Sequence, residues 1–293
     1  MLGLLLVNKP EGITSFGVVA RIKRLTGEKR VGHTGTLDPM ATGVLPVLIG
    51  RGTTLCSHLL SADKSYRARV RLGVTTDTLD ITGEALQTKA VSCNNEQILK
   101  ILEDFKGKQS QIPPMYSAIK KDGVRMYELA RKGESAEIAP REIEIFSITQ
   151  TAPLDEGDEF EFEARVSKGT YIRSLVRDIG ERLGCGATLS ALTRTKTAGF
   201  ALSECVALDS LTEDNINDYI LPCDRAVAHL PRVNITEKQA VRFLNGGRLD
   251  LERLKIKDYF NAQLYRVYSG EKFLGLGEID TDNQRLNIAC LIF

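Results

Sequence analysis

Residues 66–72, Tyr-Arg-Ala-Arg-Val-Arg-Leu, alternate apolar and basic without a break, and this period of two constrains the chain more than any other feature. Successive side chains of a strand point to opposite faces, so Tyr66, Ala68, Val70 and Leu72 belong to a buried face and Arg67, Arg69 and Arg71 to an outer one. Phe160, Phe162, Ala164 and Val166 repeat the alternation. Helical spacing stands beside it: Ile172, Leu175, Val176, Ile179 and Leu183 recur at three- and four-residue intervals, and Gly184 and Gly186 close that helix. An earlier helix is capped by Thr14 or Ser15, carries Phe16, Val19, Ile22 and Leu25 on its apolar side, and ends at Gly27. With no internal repeat and no low-complexity tract, the long part of the chain reads as mixed α and β.

A chain of 293 residues with 42% hydrophobic content can bury one large core and a small second one. The pattern changes near Pro222 and Pro231, where a capped helix from about Thr236 to Leu244 stops at Gly246-Gly247 and strand-like segments run on to Phe293. We therefore place a boundary near residue 230, giving domains 1–229 and 230–293. Between Pro113 and Lys132 a basic stretch reads as a loop leading into a short helix, an RNA-gripping insertion of about 113–140. The apolar Leu2–Val7 run lacks a basic n-region and reads as a buried strand. No apolar run approaches the roughly 20 residues a bilayer crossing needs, so a soluble protein without a membrane partner is expected.

The formal net charge is only +1. Its distribution is uneven: residues 1–72 hold eleven Lys or Arg against four Asp or Glu. Arg21, Lys23, Arg24, Lys29, Arg30, Arg67, Arg69 and Arg71 are candidates for sequence-blind phosphate contacts. Asp155, Glu156, Asp158, Glu159, Glu161 and Glu163 would repel phosphate and read as a solvated hairpin edge away from it. Six scattered cysteines without a Cys-x-x-Cys pair, and three histidines, offer neither zinc-ligand spacing nor a disulfide framework. A reducing cytoplasm fits that usage.

The chemistry-bearing stretch is Gly32-His-Thr-Gly-Thr-Leu-Asp-Pro-Met-Ala-Thr-Gly-Val-Leu-Pro46, too rich in Gly and Pro for an element interior. Pro39 biases Asp38 towards extended backbone, which holds its carboxylate out of the loop. Gly32-x-x-Gly35 is not the Gly-x-Gly-x-x-Gly of a dinucleotide site, and no P-loop lysine follows. His33 lies near Asp38 but no Gly-x-Ser-x-Gly or comparable nucleophile motif accompanies it.

Residues 32–43 closely resemble the catalytic motif of the TruB family of tRNA pseudouridine synthases. Further blocks resemble the family in family order: Asn8-Lys9-Pro10-Glu11-Gly12, Lys64-Ser65-Tyr66-Arg67, Gln111-Ile112-Pro113-Pro114 with Tyr116-Ser117-Ala118, and Ser167-Lys168-Gly169-Thr170-Tyr171-Ile172-Arg173. Many relatives read Asp-Lys-Pro where this chain has Asn8-Lys9-Pro10. The resemblance implies an α+β catalytic domain whose mixed, largely antiparallel sheet is flanked by helices, followed by a small β-rich PUA-like RNA-binding domain. It further implies isomerisation of the T-loop uridine, position 55 of tRNA, flipped out of the RNA, with no metal, no cofactor and no obligatory protein partner.

By the same resemblance Asp38 is the nucleophile, attacking either the ribose or the uracil ring. Arg173 pairs with it, which is expected to keep it ionised and lower its pKa. Tyr66 stacks on the uracil and moves a proton, Tyr171 and Leu192 line the uracil pocket, His33 fills the gap left by the extruded nucleotide, and Lys9 is a substrate contact. Taken alone, Tyr66 and Leu192 read as core residues and Arg173 as a helix-surface charge. Two rivals stand beside this reading: a tRNA-binding or tRNA-folding factor whose catalysis is dispensable, and a family enzyme directed by guide RNAs inside a ribonucleoprotein.

Overall fold

The computed structural model describes residues 1–60, 62–116, 120–121, 124–125 and 138–293. Most of the insertion expected at about 113–140, including its short helix, lies outside the described residues.

The chain begins with β1 (Gly3–Lys9), α1 (Ser15–Thr26), β2 (Val31–His33), β3 (Thr42–Ile49), α2 (Cys56–Leu60) and β4 (Lys64–Leu72). A small hairpin of β5 (Val74–Thr76) and β6 (Ala85–Thr88) leads to α3 (Asn95–Asp104) and β7 (Gly107–Gln111). After the short pair β8 (Lys120–Lys121) and β9 (Val124–Arg125) come β10 (Arg141–Ala152), β11 (Glu159–Val166), α4 (Ile172–Leu183), β12 (Ala187–Thr197), β13 (Phe200–Ala201) and β14 (Val206–Ala207). The main sheet runs β14-β1-β3-β12-β4-β11-β10-β7, with β2 on β3 and β13 on β12. Only β1–β14 and β3–β12 pair parallel, so the sheet is mixed and largely antiparallel, as expected.

The alternation in β4 does what its period requires. Tyr66, Ala68, Val70 and Leu72 are buried against Phe160, Phe162, Ala164 and Val166 of β11 and the apolar side of α4. The opposite face departs from the expectation. Register pairs Arg67 with Glu163, and Arg67 binds that carboxylate at 2.8 Å while Arg69 reaches Glu159 at 2.6 Å. Both arginines are therefore paired with acids of the run across neighbouring strands, while Asp155, Glu156 and Asp158 occupy the exposed turn between β10 and β11, the solvated hairpin edge expected of them. Arg21 is likewise held by Asp209 at 2.6 Å. Exposed pairs of this kind add about 0–1 kcal/mol each, so their main effect is on surface potential.

Helix α1 docks with Val19, Ile22 and Leu25 against the core, as expected, but leaves Phe16 outside. Thr14 is the cap, accepting from the Gly17 amide, and the buried residues are Ser15, Val18, Val19 and Ile22. Phe16 is 70% exposed, because one residue further along a helix turns a side chain by about 100° away from the docked stripe.

From Arg232 the chain builds a second, five-stranded sheet. Its strands are β15 (Arg232–Asn234), β16 (Leu249–Asp250), β17 (Leu264–Ser269), β18 (Lys272–Asp280) and β19 (Arg285–Leu291), with α5 (Glu237–Leu244) set on it by a Thr236–Gln239 capping box. Tyr268, Phe273, Leu276 and Ile292 of this unit share one apolar cluster with Leu4, Leu6, Val44 and Leu48 of β1 and β3. The Tyr268 hydroxyl donates to Asp224 at 2.5 Å across that seam. No helix among the described residues is long and apolar enough to cross a membrane.

Where β3 crosses β12, Gly43 takes φ +106° and any Cβ there would run into the Arg194 backbone. Gly43→Ala is expected to lower unfolding free energy by about 2 kcal/mol or more, since backbone strain and overlap add. Denaturant unfolding of the variant checks this.

Candidate active site

The loop joining β2 to β3 is gripped by its own main chain from several sides. Ser15 Oγ accepts from the Leu37 amide at 2.8 Å and donates to the Leu37 carbonyl at 3.1 Å. The Gly12 amide donates to the Pro39 carbonyl at 2.8 Å. Leu37, Met40 and Ala41 plug into the core. With its neighbours fastened, Asp38 keeps 35% of its side chain accessible.

Arg173 meets it from the first turn of α4. Its Nε lies 2.9 Å from Asp38 Oδ2, and its Nη2 donates to Oδ1 at 3.2 Å, a two-point contact that fixes the carboxylate's direction as well as its charge. The guanidinium is almost wholly enclosed: Nη1 donates to the Thr78 carbonyl at 3.0 Å and Nη2 to the Tyr116 carbonyl at 2.8 Å. The helix start is set by Gln111, whose side chain accepts from the Tyr171 amide at 2.8 Å and donates to the Tyr171 carbonyl at 3.1 Å. Arg173 is thus a buried group and no solvated helix charge.

Sequence reasoning missed Asp80. It is buried, its Oδ2 stands 3.6 Å from Arg173 Nη1, and its Oδ1 accepts from the Thr82 amide at 3.0 Å and the Thr78 hydroxyl at 2.9 Å. One guanidinium therefore sits between two carboxylates, an open one and a sealed one. A lone Asp in a Thr-rich turn carries no local mark of such a place.

Arg173 acts on the Asp38 charge in the expected direction, but burial outweighs it. Burial pushes the Asp38 carboxyl above the ordinary range; Arg173 opposes this, Asp80 adds to it, and the net direction is upward, not down. A carboxylate acting as a nucleophile must be ionised, so activity requiring it is lost as pH falls through this raised pKa. Turnover is expected to drop at a pH above that of an ordinary aspartate. Asp80→Asn removes a negative neighbour, so that limb moves to lower pH, while the freed guanidinium slows the reaction about tenfold. A single-turnover pH–rate profile of both proteins reads the two effects.

The other expected site residues fall into three groups. Tyr66 and Leu192 lie with Leu37, Met40 and Ala41, the residues flanking Asp38, in one apolar cluster. Tyr171 precedes Arg173 at the helix start and is partly accessible. His33, on β2, is half-buried; burial and the Arg194 charge lower its pKa, so its ring is neutral near pH 7. Lys9 is fully buried, and its ammonium donates to the carbonyls of Ile13 at 2.7 Å, Pro10 at 2.8 Å and Pro39 at 3.2 Å. Through the Pro39 carbonyl it props the loop behind Asp38, and burial brings its pKa down to about 8. Among the described residues no cluster of three or more His, Cys, Asp or Glu is placed to hold a metal ion.

The fold is shared with solved structures. A chain from a crystal structure of a Cbf5-Nop10-Gar1 complex superposes with a TM-score of 0.75 at 28% identity, covering 99% of this chain and 85% of that one. Residues 23–172 match the TruB family pseudouridylate synthase N-terminal domain. Residues 173–228 match the tRNA pseudouridylate synthase B C-terminal domain, and residues 231–286 match the pseudouridine synthase II TruB C-terminal region. The tRNA pseudouridine synthase B of Clostridium kluyveri is 43% identical over 94% of both chains. That of Clostridium novyi is 45% identical over 94% of this chain and 95% of its own. The chain belongs to the TruB family of pseudouridylate synthases, and is an isomerase.

Proposed function

We propose that this enzyme converts the T-loop uridine of tRNA, position 55, to pseudouridine, with Asp38 as the nucleophile. The observation that carries the reading is the two-point Arg173–Asp38 contact at an accessible carboxylate, in a chain whose relatives are named tRNA pseudouridine synthase B.

The reaction exchanges bonds within one nucleoside. The C1′–N1 bond breaks, a C1′–C5 bond forms, the C5 proton leaves and N1 gains one, so nothing is oxidised or reduced. The side chains here supply what that exchange needs. Asp38 attacks the ribose or the uracil ring and Arg173 keeps its negative charge stabilised and aimed. Tyr66 and Leu192 provide an apolar floor on which a detached uracil is retained while it turns over, and Tyr171 an edge. His33, as a flat neutral ring, fills the space left in the RNA when the uridine is extruded. The β-rich C-terminal unit extends the RNA contact.

The purified chain alone, incubated with an unmodified tRNA transcript, is expected to yield pseudouridine at position 55. Product only at other positions, or only when a guide RNA and partner proteins are added, overturns the reading.

A further inference from the structure

Arg194, which no part of the reaction above uses, is among the most enclosed charged side chains of the molecule at 0% exposure. Such a burial is costly unless the cation's donors are met. They are met by backbone carbonyls on both sides of the catalytic aspartate. Nε donates to the Val44 carbonyl at 2.8 Å, Nη2 to the Gly35 carbonyl at 3.1 Å and Nη1 to the Thr36 carbonyl at 3.5 Å.

Its backbone stands at a crossing. On β12, Arg194 is in register with Gly43 of β3 on one side and Tyr66 of β4 on the other. The β4 pairing skips a residue directly afterwards, between Arg194 and Lys196. Such an irregularity re-aims side chains next to active sites. Gly43 lets the two strands approach closely enough for the guanidinium to reach both ends of the loop.

We infer that Arg194 is a positioning residue for the isomerisation, a buried fork that ties the two ends of the loop 35–44 to the strand carrying Leu192 and so sets where Asp38 points. This rests on Asp38 being the nucleophile. The cation has no ion-pair partner among the described residues within 4 Å, so its donors are committed to the loop and to nothing else in that range. It never meets substrate, and its removal acts on the rate of the chemical step rather than on RNA affinity.

Arg194→Met keeps the length and volume and deletes the fork; Arg194→Lys keeps the charge and reaches fewer carbonyls. With unmodified tRNA transcript, Arg194→Met is expected to lower the single-turnover rate at saturating enzyme about tenfold to a hundredfold. Its tRNA Kd stays within about twofold, since phosphate contacts dominate affinity. Arg194→Lys recovers part of the lost rate. The inference is overturned if Arg194→Met turns over as wild type, if its loss lies in Kd rather than in the saturated rate, or if lysine does no better than methionine. Should Arg194→Met not fold, Arg194→Lys decides alone, a wild-type rate refuting the assignment and a slowed rate at unchanged Kd supporting it. Failure of the underlying reading looks different, because the wild-type chain, or Asp38→Asn, would then break the expected pattern first.

Discussion

Asp38→Asn leaves tRNA bound and unmodified. The amide is close to isosteric and keeps one acceptor for Arg173, but it has no negative charge with which to attack carbon, so pseudouridine formation is expected to fall at least about 1,000-fold. Affinity for tRNA is expected to stay within about threefold, because neutralised phosphates supply most of it and Asp38 contributes none. Mapping of pseudouridine in transcript incubated with the variant, beside a filter-binding titration, separates the two quantities. Wild-type turnover by this variant would remove Asp38 from the mechanism, and the tRNA-binding factor reading would gain if such a variant still refolded tRNA.

Arg173→Lys is the second large effect. The guanidinium touches both oxygens of Asp38 while satisfying the carbonyls of Thr78 and Tyr116. An ammonium is a compact point donor on a different arc and cannot serve four acceptors spread over a plane. The single-turnover rate is expected to fall about 100-fold or more, since aim is lost even where charge is kept. Arg173→Met removes the charge as well. Asp38 then loses the cation that pulls its pKa down, so the acid limb of the pH–rate profile is expected to move to higher pH than in Arg173→Lys. Equal profiles for the two variants would mean that Arg173 acts by shape alone.

The strands were legible because their period is local. Tyr66 to Leu72 and Phe160 to Val166 each declare a buried and an open face within seven residues, and both sit in the sheet as that alternation requires. The expected pairing of Asp38 with Arg173 came from motif resemblance, and no spacing rule brings residues 135 positions apart together. What stayed hidden was the fate of charge. Lys9, Asp80 and Arg194 look like surface residues in any local window, and each is buried because carbonyls, hydroxyls or a guanidinium supplied by distant segments complete its hydrogen bonds. Arg67 and Arg69 looked free for phosphate until the register of β4 on β11 set acids opposite them. The Asp38 shift follows the same rule, since a partner cation can be named from a motif but the depth of burial that outweighs it cannot.

The ladder of opposed charges on the outer face of β4 and β11 also says something about how a polyanion meets this enzyme. A side tiled with alternating plus and minus looks blank to a nucleic acid a few ångströms off, because the fields cancel within a Debye length of about 8 Å at physiological salt. Net attraction of a polyanion then has to come from charges off this face, so the cancelled ladder biases orientation by offering nothing to hold.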